Sequence, residues 1–517
     1  MPRSHLGLIL IQGLLCLSVA QVFADDSALV PVPDTAAQAK AEKLISDTYK
    51  PYPPAKPAEQ KALAFKLLER STDKTNDSIL RYMYLRDALK LSSSNADFET
   101  ALTAIGQIAH FYHIDKASLQ ADALRKTAGV LSQPAAAQEL LIPLLRLSDE
   151  AMKDGNYALS VEAATAADKA SRATNDPYMA VIVKEQLAEA TQIQTAYQAA
   201  KSSLDVLAKS PEDAGANLVA GKFICFALNT WEVGLPMFVK GSDASIRGLI
   251  ELDKAAGGDA ASQTKAADAW WEYAQSQTGA NKRGVLRRAA HWYEQALPSV
   301  TGLNRPAAQK RLDEASAGGK RGMSKVVDLR PLIQPRSDAI RGAWRLDRTG
   351  VMSDASVLAR IEAPYEPPAE YDFRIEFTRT KGENGVVQIL SAGDSAFTWE
   401  MGAFGNIVWG FDEVDGKRCT DNPTTVQLKN ELELNHRYTA MVQVRKDVVR
   451  AYMGTKLISE WKTDFKDMSI PEDWKLKSAK SLGFGSHETP TIFHSMIVVE
   501  VRGVGKRTRL PEGQHSQ

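Results

Sequence analysis

The chain has 517 residues, too many for one hydrophobic core, so two or more domains are expected. Lys+Arg and Asp+Glu number 63 each, so no global charge steers the protein toward nucleic acid or an anionic membrane. Hydrophobic residues at 44% and charged residues at 24% are ordinary for a soluble globular protein.

The chain opens on Arg3, an apolar run from Leu6 to Ala20, and Val22-Phe23-Ala24 before Asp25-Asp26. A positive start, a short apolar run and a small-x-small site predict a secretory signal peptide over 1–24. The run is shorter than the roughly 20 residues that cross a bilayer, and no later stretch is apolar enough. An exported mature chain without stable membrane insertion is expected, periplasmic or extracellular. Its cleavage removes Cys16, leaving Cys225 and Cys419 in different domains, read as free thiols.

Residues 25–57 read as a Pro/Ala-rich lead-in, with one short amphipathic helix near Ala36 to Ser46 ended by Pro51, Pro53, Pro54 and Pro57. Long Ala/Leu-rich segments with helical spacing follow, predicting a helical-repeat domain over 58–316. Turns are written at Ser92-Ser93-Ser94-Asn95, Lys153-Asp154-Gly155-Asn156 and Thr174-Asn175-Asp176-Pro177. Ser210-Pro211-Glu212-Asp213 reads as a cap, a first-turn proline and two acids facing the helix dipole. Ala267, Trp270, Trp271 and Ala274 make one helix face, and Val285, Ala289, Trp292, Tyr293 and Ala296 the next. Trp270 and Trp271 cannot both point inward, so one either packs between repeats or rims a groove. Small residues such as Ala163, Ala167 and Ala170 recur where helices approach, and the pairing resembles the tetratricopeptide style, whose unit is about 34 residues.

Residues 317–341 read as a basic linker, loosened by Gly318, Gly319 and Gly322 and stiffened by Pro331 and Pro335. Its excess of Lys and Arg marks either a solvated joint or a seat for an acidic polymer.

Beyond it, 342–507 alternates strands and turns. The clearest strand is Tyr371 to Thr378, where Tyr371, Phe373, Ile375 and Phe377 alternate with Asp372, Arg374, Glu376 and Thr378. Further strands are predicted at 386–390, 396–401, 406–411, 437–445, 448–453, 456–461, 481–484 and 492–502. Many short strands with little helix predict an antiparallel β-sandwich, making the whole an α+β multidomain protein. Residues 508–517 read as a disordered tail.

Asn435-His436-Arg437-Tyr438, Val442-Gln443-Val444-Arg445, Gly454-Thr455-Lys456 and Trp461 resemble the strand–strand–hairpin core of laminin-G-like and concanavalin-like jelly rolls. Val414-Asp415-Gly416-Lys417, Asp421-Asn422-Pro423-Thr424 and Gly342-Ala343-Trp344 are similar to a variant found in large exported bacterial proteins with helical regions ahead of it. The resemblance implies a two-sheet sandwich that often holds carbohydrate or protein. Relatives assigned to sugar-hydrolysing families tend to carry an Asn-Ser-Gly and a following Arg that Gly382 to Gln388 lacks.

The chemistry-bearing residues are few. Glu413 and Asp415 stand on one side of Phe411-Asp412-Glu413-Val414-Asp415-Gly416, but Asp415-Gly416 also reads as a hairpin turn. His110, His113 and Asp115 have a spacing that can bind metal, with packing or surface positions as the alternative. No phosphate loop, Cys-x-x-Cys or nucleophile elbow is present, and no metal or cofactor is expected. Trp399 and Trp409 each lie on the apolar face of a strand. They read either as core or as a platform for sugar rings, with Glu400, Asp412, Arg418 and Asn422 as polar partners. The expectation is a non-catalytic exported binding protein for extracellular polysaccharide or an envelope protein. A pure assembly scaffold and an atypical sugar-processing enzyme are the alternatives.

Overall fold

The computed structural model describes residues 29–302, 304–319, 325–429 and 431–509. The expected signal peptide, part of the expected linker and most of the expected tail lie outside the described residues.

Helices fill the first part of the chain. Among the described residues, contacts gather the protein into two units, Val130–Met323 and a second made of Ala28–Gly129 with Ser324–Gln517. The division falls inside the expected 58–316 helical block, because each side has its own core. Ile45, Leu67, Met83, Leu91, Ile108 and Tyr112 form one. Phe226, Trp270, Val285, Tyr293 and Leu312 belong to another. Helices start where acids cap them: Asp34, Asp77, Asp97, Asp115, Asp176, Asp213, Asp243 and Asp259 each accept a first-turn amide. The expected cap at Ser210 is displaced to Asp213, whose Oδ1 accepts from Ala216 N at 2.8 Å. Consecutive helices pack on one another, but lengths run from 9 to 31 residues, so no fixed unit of about 34 holds.

Among the described residues seventeen strands follow: β1 Lys325–Asp328, β2 Ala339–Arg341, β3 Trp344–Asp347, β4 Gly350–Ser353, β5 Ala359–Ala363, β6 Tyr365–Glu366, β7 Glu370–Arg379, β8 Val386–Ala392 and β9 Ser395–Gly402. Then come β10 Val408–Asp412, β11 Val426–Gln427, β12 Arg437–Arg445, β13 Val448–Met453, β14 Lys456–Lys462, β15 Leu482–Ser486, β16 Thr491–Arg502 and β17 Lys506–Arg507. One sheet runs β14-β13-β12-β7-β16-β4-β3 with β1 also on β16, and the other β11-β10-β9-β8-β15-β5-β2. All pairings between these strands are antiparallel. This is a two-layer β-sandwich after a helical region, as the alternation of apolar and polar residues predicted.

The core lies between the sheets. Tyr371, Phe373, Ile375 and Phe377 of β7 meet Trp399, Met401, Trp409 and Phe411 from the opposite layer. The polar face of β7 differs from expectation: Asp372, Arg374 and Glu376 are all buried. β7 is central, so side chains of its neighbours arch over it. Arg445 reaches Asp372 at 2.6 Å and Arg437 reaches Glu376 at 2.7 Å, leaving each acid paired.

The expected linker is partly structured. Lys325–Asp328 adds to β16, and Arg509 ion-pairs with Asp338 at 2.6 Å while donating to Leu332 O at 2.6 Å. The sandwich therefore extends on both sides of the expected 342–507.

Candidate functional site

Trp399 and Trp409 correct the expectation of a sugar platform. Their exposures are 0% and 1%, and their ring centroids stand 6.3 Å apart inside the sandwich. Strand alternation decides this: both point inward with Phe397, Met401 and Phe411, so neither face meets solvent.

The same alternation turns the intervening residues outward. Thr398 and Glu400 of β9 and Asp412 of β10 share the outer face of the seven-stranded sheet, with Thr398 opposite Asp412 in register. Glu400, Asp412, Arg418 and Asn422, four of the six residues singled out in the sequence, therefore gather in one place. That face is covered. The chain after β14 crosses it as a strap, fastened by Asp415 N to Asp467 O at 2.7 Å and Ser469 N to Glu413 O at 3.1 Å. Trp474, 2% exposed, packs there on Val387 and Ile389.

Under this cover lies a cluster of acids and a thiol. Trp474 Nε1 donates to Glu400 Oε1 at 2.9 Å, and Cys419 Sγ donates to Glu400 Oε2 at 3.7 Å. Asp412 Oδ1 accepts from Cys419 N at 2.7 Å, Arg418 Nε at 3.0 Å and Glu413 N at 3.1 Å. Arg418 Nη2 stands 2.9 Å from Asp412 Oδ2, and half of that side chain is exposed. Burial, then the charge of Asp412, pushes the Glu400 carboxyl up to about 7. Burial first, then Glu400, raises the Cys419 thiol as well. Asn422 braces the surrounding loop, donating to Phe411 O at 2.8 Å and Arg418 O at 3.0 Å.

The other candidate acids go elsewhere, and the His110 ring packs edge-on against Phe111 with centroids 4.7 Å apart. Asp415-Gly416 forms a tight turn with φ of 50° and 71°, and Val414 and Lys417 exchange hydrogen bonds of 3.0 Å across it. Glu413 accepts from Ser469 Oγ at 2.7 Å. Asp115 caps a helix through Ser118 N at 3.0 Å. Trp270 is core and Trp271 half-buried beneath the Arg311 guanidinium, 4.9 Å from its ring, so helix packing accounts for the pair.

A second place was not foreseen. At one end of the sandwich the β7–β8, β9–β10 and β15–β16 connections are tied together: His487 N donates to Gly385 O at 3.0 Å and Thr380 N to Pro490 O at 2.9 Å. From this rim Phe404 projects with 57% exposure and φ of 52°. Its neighbours Gly402, Gly405 and Asn406 also have positive φ, and Asn406 anchors the loop by donating to Leu432 O at 2.9 Å. Beside it Asn384 Nδ2 donates to Glu488 Oε2 at 3.1 Å, and Asn384 Oδ1 accepts from Gly405 N at 3.2 Å.

Sequence reasoning missed Cys419, Trp474, Thr398 and Phe404. One signal for Trp474 was present. Gly483 and Gly485 alternate in β15, and glycines on one face of a strand mark something lying flat against it. A Cβ on Gly485 would stand 3.1 Å from the Trp474 ring and 2.3 Å from Ala359 O.

No protein-family model matches the chain, and no curated protein matches it. Solved structures similar to it include a carbohydrate-binding module, CBM66, from Bacillus subtilis, at 11% identity and TM-score 0.25, covering 31% of this chain and 94% of that one. A protein of unknown function with a galectin-like fold from Bacillus subtilis is similar at 11% identity and TM-score 0.26, covering 34% and 94%. The apo Crh5 transglycosylase is similar at 11% identity and TM-score 0.25, covering 34% and 84%.

Proposed function

We propose that this is a non-catalytic, exported protein whose β-sandwich holds extracellular polysaccharide at its loop rim, with the helical region as a protein-interaction arm. Phe404 carries the reading. A left-handed φ costs a bulky residue about 1–2 kcal/mol, and an aromatic ring left more than half exposed recovers little of it through packing. Such a cost fits a ring presented for stacking, with the Asn384 amide and Glu488 carboxylate as hydrogen-bonding neighbours for sugar hydroxyls. The non-catalytic part rests on a different observation. Glu400 and Asp412 are buried, 6% and 0% exposed, held by Trp474 and Arg418.

Glycan arrays probed with the full chain test this. Binding that Phe404→Ala and Asn384→Ala remove, with the circular dichroism spectrum unchanged, is expected. Binding untouched by Phe404→Ala overturns the rim assignment. Absence of any glycan signal beside a captured envelope protein replaces it with the scaffold reading, and release of reducing sugar with the enzyme reading.

A further inference from the structure

The covered cluster on the outer face has the composition of a cation site. Glu400, Asp412 and Cys419, all buried, each offer one ligand atom, and the three atoms lie within 4.8 Å of one another. Among the described residues no other group of three His, Cys, Asp or Glu side chains meets that geometry.

One buried atom points to something more than internal packing. Thr398 Oγ1 has no hydrogen-bond partner although the residue is fully buried. It stands on the same face as Glu400 and directly across from Asp412. Asp412 Oδ2 is held only by the Arg418 guanidinium, whose Nη2 stands at 2.9 Å. An unpartnered buried polar atom costs about 1–3 kcal/mol, so Thr398 Oγ1 calls for a missing partner.

We propose that Glu400, Asp412 and Cys419 bind a zinc-type dication, with Thr398 Oγ1 holding the water in the fourth position. Three protein ligands plus one water is the zinc pattern with an open position, and mixed sulfur and oxygen donors suit this borderline-soft ion. Bonds of about 2.0–2.3 Å place the ligand atoms of a tetrahedral zinc site roughly 3.3–3.8 Å apart. Cys419 Sγ and Glu400 Oε2 already stand at 3.7 Å. Charge also balances: three anionic ligands and one guanidinium leave two negative charges, which a dication neutralises in a buried place. Neighbouring groups hold the ligands in place: Trp474 fixes Glu400 through Oε1, while the Cys419 and Glu413 amides and Arg418 fix Asp412 through Oδ1. That leaves Glu400 Oε2, Asp412 Oδ2 and the sulfur for the ion. Access is from the side of Arg418, the half-exposed member of the group.

The test titrates the chelator-treated full chain with Co²⁺ as a spectroscopic stand-in and then displaces it with Zn²⁺. Expected are one equivalent per chain, a thiolate-to-Co²⁺ charge-transfer band in the near ultraviolet, and a Zn²⁺-dependent slowing of the alkylation that reaches the buried Cys419 only when the cover opens locally. Cys419→Ser should abolish the band, and Glu400→Gln should weaken binding by more than the roughly 10–100-fold that loss of an outer-shell partner costs. Cys225→Ser, in the helical unit, should leave both intact. The alkylation assay uses the unaltered chain and so holds even where a variant fails to fold. Absence of the band, or alkylation of Cys419 unaffected by Zn²⁺, overturns the proposal.

Discussion

Trp474 Nε1 donates to Glu400 Oε1 at 2.9 Å, joining residues 74 apart in sequence across the outer face of one sheet. This bond fastens a strap that the strand pattern does not announce. Trp474→Ala should therefore destabilise the protein by about 3–5 kcal/mol through lost packing. Trp474→Phe keeps most of the packing and leaves the Glu400 oxygen without its donor, for about 1–3 kcal/mol. Guanidinium titration followed by circular dichroism separates the two, and equal losses would contradict the role of the hydrogen bond.

Gly485 makes room for that strap. A methyl group there would sit 2.3 Å from the backbone oxygen of Ala359, on the neighbouring strand β5. Backbone cannot step aside as a side chain does. Gly485→Ala is expected to lower stability by at least about 2 kcal/mol, and a midpoint unchanged in denaturant would disprove the close approach.

Phe404 allows stability and binding to be separated. Phe404→Gly removes the left-handed strain and loses little packing, so stability should hold or rise by about 1 kcal/mol. Glycan binding should vanish in the same variant. A clear loss of thermal stability would mean that the ring is a structural contact.

In the helical unit, Asp253 is a node. It accepts from Trp270 Nε1 at 2.7 Å, Trp292 Nε1 at 2.8 Å and Arg288 Nε at 2.8 Å. The Arg288 guanidinium lies 4.8 Å and 5.0 Å from the Trp231 and Trp292 rings. Asp253→Ala leaves a mostly buried cation and two indole protons without their acceptor. The expected cost is about 3–5 kcal/mol, read by chemical denaturation, and a change below about 1 kcal/mol would contradict it.

His494 supplies a pH dependence. Burial first, then the Arg437 charge, lowers its pKa below the usual 6.5; its ring nitrogens lie 2.9 Å from Thr349 O and 2.9 Å from Thr378 Oγ1. The Arg330 charge also disfavours the proton, while Thr349 O and Glu376 favour it. Because the unfolded chain takes up its proton at higher pH, this contribution is fully present above about 6.5 and fades as pH falls through the folded value. His494→Gln should flatten the slope of stability between pH 7 and 5, and an unchanged slope would assign it to other groups.

Much of the sandwich was legible in the sequence. Arg437–Arg445 and Val448–Met453 appear at their expected bounds, and Glu370–Arg379 extends its expected core by a residue at each end. Strong alternation marks these strands. β1 to β5 were missed because three to five residues are too few to display a period of two. The site residues were half legible. Polar neighbours of Trp399 and Trp409 were picked out as ligand partners, and they do cluster, but on the face opposite the tryptophans. Adjacent strand residues point to opposite sides, so a tryptophan and its neighbour cannot serve one ligand.

What the sequence determines alone is local: which stretches repeat every 3.6 or every 2 residues, where acids cap helices, and therefore a helical region followed by a β-sandwich. Tertiary structure decided what covers each face. The strap that seals Glu400, Asp412 and Cys419 comes from some 74 residues further along, and no local pattern encodes which surface a loop will cross. The exposure of Phe404 is likewise a property of three connections meeting at one end of the fold, visible only once the strands that carry them are paired.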